Sequence, residues 1–301
     1  MTEFKITSPC DGLELSCLYI EPAGEPAGIV QISHGMCEHK ERYIPLMEFL
    51  AAGGYAAVIN DHRGHGASVR RPEDLGYMYK DGWLSMVLDT KAVTDWARSK
   101  WPGKRLTLLG HSMGSMVVRS YLKRFDDSID ALVVSGCPSD NPAKGAGKFL
   151  AGASGILCGW HSRPQLLQKM SFGSYNKPFK DEGCPCSWVC SDKDVQQAYL
   201  HDPLCQYVFT ANGFRNLLGL MQDCYGRKGW KVSNPALPVR FISGAQDPCR
   251  VSDGALEDAA ELLRKAGYTH VSVKLYPGMR HEILNETGKA EVWNDVLHTL
   301  A

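Results

Sequence analysis

The chain has 301 residues, a length that fits one large α/β domain with an insertion or two smaller domains. Hydrophobic residues make up 44% and charged residues 22%, which is close to the globular average and argues against a disordered, collagenous or coiled-coil chain. Lys and Arg number 33, as do Asp and Glu, so no bulk charge favours nucleic acid or a highly charged substrate. We therefore expect a small, weakly charged molecule as the partner.

The sequence predicts neither a targeting signal nor a metal motif. Residues 1–7 lack the basic and apolar segments of a secretory signal, and no window approaches 18 uninterrupted apolar residues, so neither export nor a membrane span is predicted.

The 11 cysteines are an odd number, which favours free thiols and a cytoplasmic location. Cys184, Cys186 and Cys190 lie close together, but they lack paired C-x₂-C spacing and nearby His ligands, so no zinc site is predicted there.

Strands and helices alternate from the start of the chain to residue 135. An antiparallel hairpin is predicted first, because apolar residues alternate on both sides of the turn signal at 9–12. Short apolar runs then predict strands at 29–33, 55–59, 106–109 and 131–134. Segments with helical spacing predict helices at 44–51, 83–101 and 113–125. This alternation predicts a mostly parallel sheet with helices on both faces.

The alternation stops after Ser135, and the next clear strand is at 239–243. A stretch of this length predicts an inserted unit, and its short helical patterns favour a small helical cap. A helix at 254–266, a strand at 271–275 and a final helix from about 290 to 300 complete the core. We therefore divide the chain into a core of residues 1–136, a cap of residues 137–232 and a second part of the core, residues 233–301.

The segment from Gly110 to Gly114 reads G-x-S-x-G and lies between a predicted strand and a predicted helix. This is the setting of a nucleophile elbow, in which flanking glycines allow a sharp turn and the helix N-terminus points free N–H groups at developing negative charge. Ser112 is therefore the candidate nucleophile. The alternative is a helix-capping serine between two glycines.

A serine hydroxyl attacks an ester only when a histidine removes its proton and an acid orients that histidine. Asp247 follows the predicted strand at 239–243, and His281 follows the one at 271–275. The chain order Ser, Asp, His is the one expected for an α/β enzyme with a nucleophile elbow. Asp253, in the same connection as Asp247, is the second candidate for the acid. The alternatives are that Asp247 caps the next helix and that His281 is a surface residue.

In α/β enzymes with a nucleophile elbow, two backbone N–H groups form the oxyanion hole. The loop after the first parallel strand supplies one of them, and the residue after the nucleophile supplies the other. These positions are the backbone amides of Met36 and Met113. The loop from Asp61 to Gly66 has two histidines near an aspartate, but its glycines and its Asp and Arg residues favour a structural role over metal binding. No metal or organic cofactor is predicted.

Five segments together resemble the monoacylglycerol lipase and lysophospholipase family of α/β hydrolases. In chain order they are His34 to His39 (HGMCEH), Asp61 to Gly66 (DHRGHG), Gly110 to Gly114 (GHSMG), Gly244 to Asp247 (GAQD) and His281 to Glu286 (HEILNE). The resemblance spans nearly the whole chain and is weakest in the cap. It implies an α/β-hydrolase fold and hydrolysis of a carboxylic ester, commonly of a monoacyl lipid, by Ser112, Asp247 and His281. Ser115 departs from the family, which usually has a second glycine there.

Two other functions stay open at this point. A peptidase similar to proline iminopeptidase would need an acidic cluster in the cap to hold the substrate ammonium, for which the candidates are Asp181, Glu182, Asp192 and Asp194. A non-catalytic ligand-binding protein on the same fold is the second, because a fold does not determine function.

Apolar residues at roughly helical spacing in the cap predict either an acyl-binding face or the packing of the cap on the core; they are Phe149, Leu150, Ile156, Leu157 and Trp160. At most peripheral membrane contact is expected, through the cap. Cys37 and Cys249 lie near the candidate site in sequence, which suggests thiol sensitivity.

Overall fold

The computed structural model describes residues 1–300, which form one sheet of eight strands in the order β1-β2-β4-β3-β5-β6-β7-β8. Strands β3 to β8 are mutually parallel, whereas β2 runs antiparallel to both of its neighbours, β1 and β4. The strands are β1 (Thr2–Thr7), β2 (Glu14–Ile20), β3 (Gly28–Ser33), β4 (Ala56–Asn60), β5 (Arg105–His111), β6 (Ala131–Ser135), β7 (Val239–Gly244) and β8 (Val271–Tyr276).

The described residues contain nine α-helices, of which the first eight lie between strands and the ninth follows β8. They are α1 (Ile44–Ala52), α2 (Gly82–Lys100), α3 (Met113–Phe125), α4 (Lys144–Cys158), α5 (Gln165–Phe172), α6 (Lys193–His201), α7 (Ala211–Cys224), α8 (Asp253–Ala266) and α9 (Lys289–Leu300). The predicted hairpin and the alternation of strands and helices are confirmed. Strand β5 continues past the predicted end at residue 109, because Gly110 still pairs with Ser33 on β3 and His111 with Ser135 on β6.

The sheet is buried on both faces because successive side chains of its central strands enter two different cores. Ile29 of β3 packs in the core shared with α2, α3 and α8, whereas Val30 and Ile32 pack in the core shared with α1 and α9. Alternate burial on two apolar faces explains why these strands are continuous apolar runs in the sequence. Because these strands run parallel, the carboxyl ends of β3, β5, β7 and β8 lie at one edge of the sheet, where the loops with the candidate residues begin.

The segment between β6 and β7 is helical, as predicted. Helix α7 contacts α2 and α3 of the core, and α4 lies along α7. The boundaries at residues 136/137 and 232/233 stay a prediction. None of the helices within residues 1–300 is both long enough and apolar enough to span a bilayer.

The apolar residues of α4 do not pack the cap onto the core. Phe149, Ile156 and Leu157 are 76%, 75% and 83% exposed, so the packing alternative is wrong for them. Small residues form the buried face of α4 instead, namely Ala151, Gly152 and Gly155. Helix α5 also bears exposed apolar side chains, at Leu166 and Met170. We call the five exposed residues Phe149, Ile156, Leu157, Leu166 and Met170 the cap patch.

The close packing of α3 against β3 gives a stability prediction. A Cβ atom on Gly114 would collide with the carbonyl oxygens of Ser33 and His34, which are backbone atoms and cannot rotate away. We expect Gly114→Ala to lower the free energy of unfolding by about 1–3 kcal/mol. Urea denaturation measures this change. Gly24→Ala is the matched control, because a Cβ there meets no atom within 4 Å. Equal stability of the two variants would contradict the prediction.

Candidate active site

Ser112 lies at a sharp turn between the end of β5 and the start of α3. Its backbone has φ 53° and ψ −117°, a conformation that favours glycine and that a residue with a side chain adopts only under strain. The neighbouring glycines make the turn possible, since a Cβ on Gly110 would meet the carbonyl oxygen of Gly114 and the side chain of Val118. The turn directs the Ser112 hydroxyl away from the strand and places it at the N-terminus of α3.

His281 meets Ser112 from the loop that follows β8. Its Nε2 atom lies 2.8 Å from Ser112 Oγ, so the hydroxyl can donate a hydrogen bond to the imidazole. The side chain is buried, and the ring of Trp188, from the segment between α5 and α6, lies 5.3 Å from the imidazole ring. The imidazole is therefore held in place from the core side and from the cap side.

Asp247 lies on the opposite side of the imidazole. Both of its carboxylate oxygens are 3.0 Å from His281 Nδ1, and the carboxylate also accepts hydrogen bonds from Ser243 Oγ and the Cys249 backbone N–H. Asp253 has a side chain that is 79% exposed and pairs with Arg250. The structure thus brings Ser112, His281 and Asp247 together and leaves Asp253 outside the group.

Charge pairing determines the electrostatics of His281 and Asp247. Burial by itself lowers the pKa of His281, but the facing Asp247 carboxylate outweighs burial, so this pKa is well above its usual value. For Asp247, burial by itself raises the pKa. The interaction with His281 outweighs the effect of burial, so the pKa of Asp247 lies below its usual value. The carboxylate is thus ionised and favours a positive charge on the imidazole.

The loop after β3 lies directly beside Ser112. A Cβ on Gly35 would be 3.0 Å from the Cβ of Ser112, so only glycine allows this approach. Met36 follows Gly35 in this loop, and Met113 is the first residue of α3. Both predicted oxyanion donors therefore belong to segments that border the Ser112 turn. Cys37 has φ 54°, so the loop reverses direction immediately after Met36.

A buried ionic network, which no sequence pattern predicts, holds this loop. The Glu38 carboxylate accepts a short hydrogen bond from the Gly35 N–H, and it accepts a second from Arg42 at 3.0 Å. Arg42 also donates two hydrogen bonds, of 2.8 and 2.7 Å, to Glu282, the residue after His281. We call residues 34–39 the oxyanion loop, after the predicted donor Met36, and residues 277–288 the histidine loop. A single guanidinium thus connects the two loops. The motif HGMCEH contained Glu38, but nothing in the sequence placed it near residue 282.

The two carboxylates of this network differ in their ionisation. Burial raises the pKa of Glu38 to about 7, and Arg42 opposes that rise only in part. Burial also acts to raise the pKa of Glu282, but the ion pair with Arg42 outweighs burial and lowers this pKa to about 2. One guanidinium therefore keeps Glu282 fully ionised, while Glu38 titrates near neutral pH.

The histidine loop is also attached to the cap. Arg280 donates hydrogen bonds to the Ser187 and Cys190 carbonyl oxygens at 2.6 and 3.3 Å, and the Glu282 N–H donates to the Val189 carbonyl at 2.7 Å. The cap residues involved are about ninety positions away in the chain, and no sequence pattern connects them to His281.

Two groups of buried thiols lie near the site. Cys249 Sγ is 3.9 Å from His281 Nε2, and Cys37 Sγ donates to the Tyr207 carbonyl oxygen at 3.3 Å. Burial raises the pKa of Cys249 to about 11, so it is a thiol at neutral pH. In the cap, Cys184 and Cys186 have sulfur atoms 3.4 Å apart, while Cys190 Sγ faces the Asn285 carbonyl.

The loop from Asp61 to Gly66 is held together by structural contacts. The Asp61 carboxylate accepts hydrogen bonds from the backbone N–H groups of Lys40 and Ala67, at 2.8 and 2.9 Å. Arg63 pairs with Asp89 at 2.8 Å rather than with Asp61. These partners support the structural interpretation of the loop over metal binding.

Comparison with known proteins identifies the family. The model of the Hydrolase_4 family, described as serine aminopeptidase, S33, matches residues 24–288. The chain belongs to this family. Its relatives include a monoacylglycerol lipase of Mycolicibacterium smegmatis, which is 27% identical over 276 residues that cover 91% of this chain and 88% of that protein. A monoglyceride lipase of Mus musculus is 33% identical over 293 residues that cover 96% and 86%, respectively.

The fold of this Hydrolase_4 member has close counterparts among solved structures. The structure of a highly thermostable carboxyl esterase from Bacillus coagulans, in complex with glycerol, matches with a TM-score of 0.88 and 23% identity, covering 99% of this chain and 97% of that one. The predicted α/β-hydrolase fold and the resemblance to monoacylglycerol lipases are confirmed. The protein is a carboxylic ester hydrolase, and it is similar to monoacylglycerol lipases.

The pairing of His281 with Asp247 gives a pH prediction. Because the carboxylate raises the pKa of the imidazole, Asp247→Asn should lower the pKa of His281, and the imidazole should then lose its proton at a lower pH. An NMR titration of the His281 ring measures this change. Asp253→Asn is the matched control and should leave the pKa unaltered, because Asp253 does not contact His281. A larger shift in the Asp253 variant would reverse the assignment of the acid.

Proposed function

We propose that the protein hydrolyses monoacyl esters, with monoacylglycerols or lysophospholipids as substrates, through an acyl-enzyme formed on Ser112. The observation that carries this proposal is the continuous contact from Ser112 Oγ to His281 Nε2 and from His281 Nδ1 to Asp247. Each group has the partner that its step in ester hydrolysis requires.

In the first half of the reaction, Ser112 Oγ attacks the ester carbonyl carbon while His281 Nε2 accepts the hydroxyl proton. The resulting imidazolium is stabilised by the Asp247 carboxylate, which is buried and ionised. The tetrahedral intermediate then collapses, and its carbon–oxygen bond to the leaving alcohol breaks. His281 donates its proton to that alcohol, and the acyl group stays on Ser112.

In the second half, water takes the place of the alcohol. His281 accepts a proton from the water as it attacks the acyl carbon, and it returns the proton to Ser112 Oγ when the fatty acid leaves. In both halves the backbone N–H groups of Met36 and Met113 donate to the oxyanion. Glu38 supports this function by holding the Gly35 N–H, which fixes the loop that presents Met36.

The proposed substrate class rests on the relatives and on the charge of the chain. The relatives named above are lipases for monoacyl glycerides, and the chain has a formal net charge of zero, which suits a neutral lipid. We also propose that the cap excludes triacylglycerols. The cap residue Trp188 lies against the His281 ring, so the cap restricts the space for bulky esters on that side of the site.

The name of the family raises aminopeptidase activity as the second candidate. An aminopeptidase needs free carboxylates to hold the substrate ammonium, but two of the four predicted acidic residues are already engaged. Glu182 forms ion pairs with Arg280 and Lys193, and Asp192 accepts hydrogen bonds from the first turn of α6. These contacts favour ester substrates. A non-catalytic binding protein is disfavoured by the complete set of Ser112, His281 and Asp247.

Substitution of the serine tests the proposal directly. We expect Ser112→Ala to retain its fold and to lose about 10⁴-fold or more in kcat on a monoacylglycerol, as removal of a triad member does elsewhere. A fluorophosphonate should label the wild type and not the variant. Retention of more than about a hundredth of the wild-type turnover would exclude Ser112 as the nucleophile. Faster cleavage of an aminoacyl arylamide than of the monoacylglycerol by the wild type would instead favour the aminopeptidase.

We further propose that the cap patch contacts the lipid aggregate that holds the substrate. Its five apolar side chains lie on α4 and α5 and are all more than half exposed. Groups of exposed apolar side chains on a protein surface mark interaction sites. Peripheral contact of this kind agrees with the absence of a bilayer-spanning helix within residues 1–300. The cytoplasmic location stays a prediction.

Two substitutions in the cap patch test this contact. We expect Phe149→Ser combined with Leu157→Ser to lower kcat/KM on monoacylglycerol in phospholipid vesicles several-fold, because each side chain loses apolar area that the lipid would bury. The same variant should hydrolyse a short, water-soluble ester at the wild-type rate. Cys158→Ser, at an exposed α4 position outside the patch, is the matched control. A parallel loss of activity on both substrates would indicate damage to the cap rather than lost lipid contact.

A further inference from the structure

A cluster of potential metal ligands joins the core to the cap away from Ser112. His39 comes from the loop after β3, whereas Asp202 and Cys205 follow α6 in the cap. One ligand atom from each of these three residues lies within 4.8 Å of the other two. We call these three residues the core–cap cluster. The imidazole, carboxylate and thiol groups that it contains are the donors that zinc prefers in proteins.

The His39 imidazole is already oriented for metal binding. Its Nε2 atom points at Asp202 Oδ2, at 2.7 Å, and its Nδ1 atom lies 2.6 Å from Glu41 Oε2. Histidines that bind a metal through one nitrogen commonly donate the other N–H to a carboxylate, which fixes the ring and raises its basicity. Glu41 supplies that carboxylate here, and Lys40 donates to its other oxygen at 2.6 Å.

The two cap residues are held on the same side of a tight turn. The Asp202 side chain accepts a hydrogen bond from the Leu204 N–H at 2.8 Å, and the Cys205 N–H donates to the Asp202 carbonyl at 2.9 Å. This turn places Asp202 Oδ2 and Cys205 Sγ beside His39 without any contribution from a metal. Little chain entropy is therefore lost when the three groups bind one ion.

Burial and charge at the cluster also suit a cation. Cys205 is almost completely buried, whereas the side chains of Asp202 and Glu41 are 27% and 41% exposed and leave a path for an ion to enter. The neighbouring positive charges already have acidic partners: Arg42 pairs with Glu38 and Glu282, and Lys40 pairs with Asp61 and with Glu41. Asp202 thus supplies the negative charge for an ion, while Glu41 is shared between His39 and Lys40.

We propose that the core–cap cluster is a zinc site, with His39 Nε2, an Asp202 carboxylate oxygen and Cys205 Sγ as ligands. A small ligand from solvent completes the tetrahedral coordination. On binding, the Cys205 thiol and His39 Nε2 each release a proton to solvent and the ion takes the place of both, while Nδ1–H continues to donate to Glu41. No electron transfer takes part in this step.

Zinc at this position would fasten the cap to the loop that carries Met36. Cys37, the next residue, already contacts the Tyr207 carbonyl in the cap segment that follows Cys205. A metal that binds the folded chain stabilises it by an amount that grows with the ratio of the free-ion concentration to the dissociation constant. Zinc should therefore raise the midpoint of thermal unfolding, and the increase should grow with zinc concentration.

The test is a metal titration of the full chain after treatment with a chelator. Zinc affinity and stoichiometry are measured by competition with a chromophoric chelator, and cobalt(II) is used as a spectroscopic probe for thiolate ligation. We expect one equivalent of tight binding and a thiolate-to-cobalt charge-transfer band. Cys205→Ser should abolish the band, and Cys190→Ser, a buried cap cysteine outside the cluster, should retain it. Absence of tight binding to the wild type would overturn the proposal.

A second set of variants separates this site from the catalytic one, where Asp247, Cys249 and His281 also lie close together. The cobalt band should persist in Cys249→Ser, and its loss there would overturn the proposal. Glu41→Gln leaves all three ligands in place and should weaken zinc binding about 10- to 100-fold, because it removes the negative charge of the group that accepts from His39 Nδ1. If Cys205→Ser does not fold, Asp202→Asn and Glu41→Gln decide the question. Wild-type affinity in both would exclude the site.

Discussion

The strained backbone at Ser112, with its positive φ, is the constraint on which the rest of the site depends. This turn exists because β5 and α3 are each fixed by the core, so the chain between them has no freedom to relax. Gly114 lets α3 approach β3, and Gly35 lets the oxyanion loop approach Ser112. Any larger residue at either glycine would separate the segments. The free energy of core packing thus offsets the strain of a single residue.

Buried charge extends this constraint to the loops around the turn. Arg42 connects Glu38, which holds the oxyanion loop, with Glu282, which adjoins His281. Removing one partner from such a network leaves an uncompensated buried charge, and this is strongly destabilising. The loops that present the proposed donor and the proposed base are therefore coupled, although one follows β3 and the other follows β8. The pKa of Glu38, about 7, makes this coupling sensitive to pH near neutrality.

The cap combines two roles that the fold keeps on different surfaces. Its inner side attaches to the histidine loop through Arg280 and places Trp188 over the imidazole. Its outer side bears the exposed cap patch. Helix α4 can present apolar residues outward because its inner face is built from alanine and glycine, which pack closely on α7. One short helix thus contributes both to packing and to a proposed lipid contact.

The sequence by itself determined the alternation of strands and helices, the turn at Ser112 and the order of Ser112, Asp247 and His281, because these depend on local periodicity and on residues close in the chain. Tertiary structure decided the rest. It placed Asp247, and not Asp253, beside His281, with both carboxylate oxygens 3.0 Å from Nδ1, and this contact is the basis for proposing Asp247 as the acid. It also exposed the apolar residues of α4, because helical spacing defines an apolar face but not what covers that face. Contacts such as Arg42 with Glu282 join residues 240 positions apart, and no local pattern encodes such a distance.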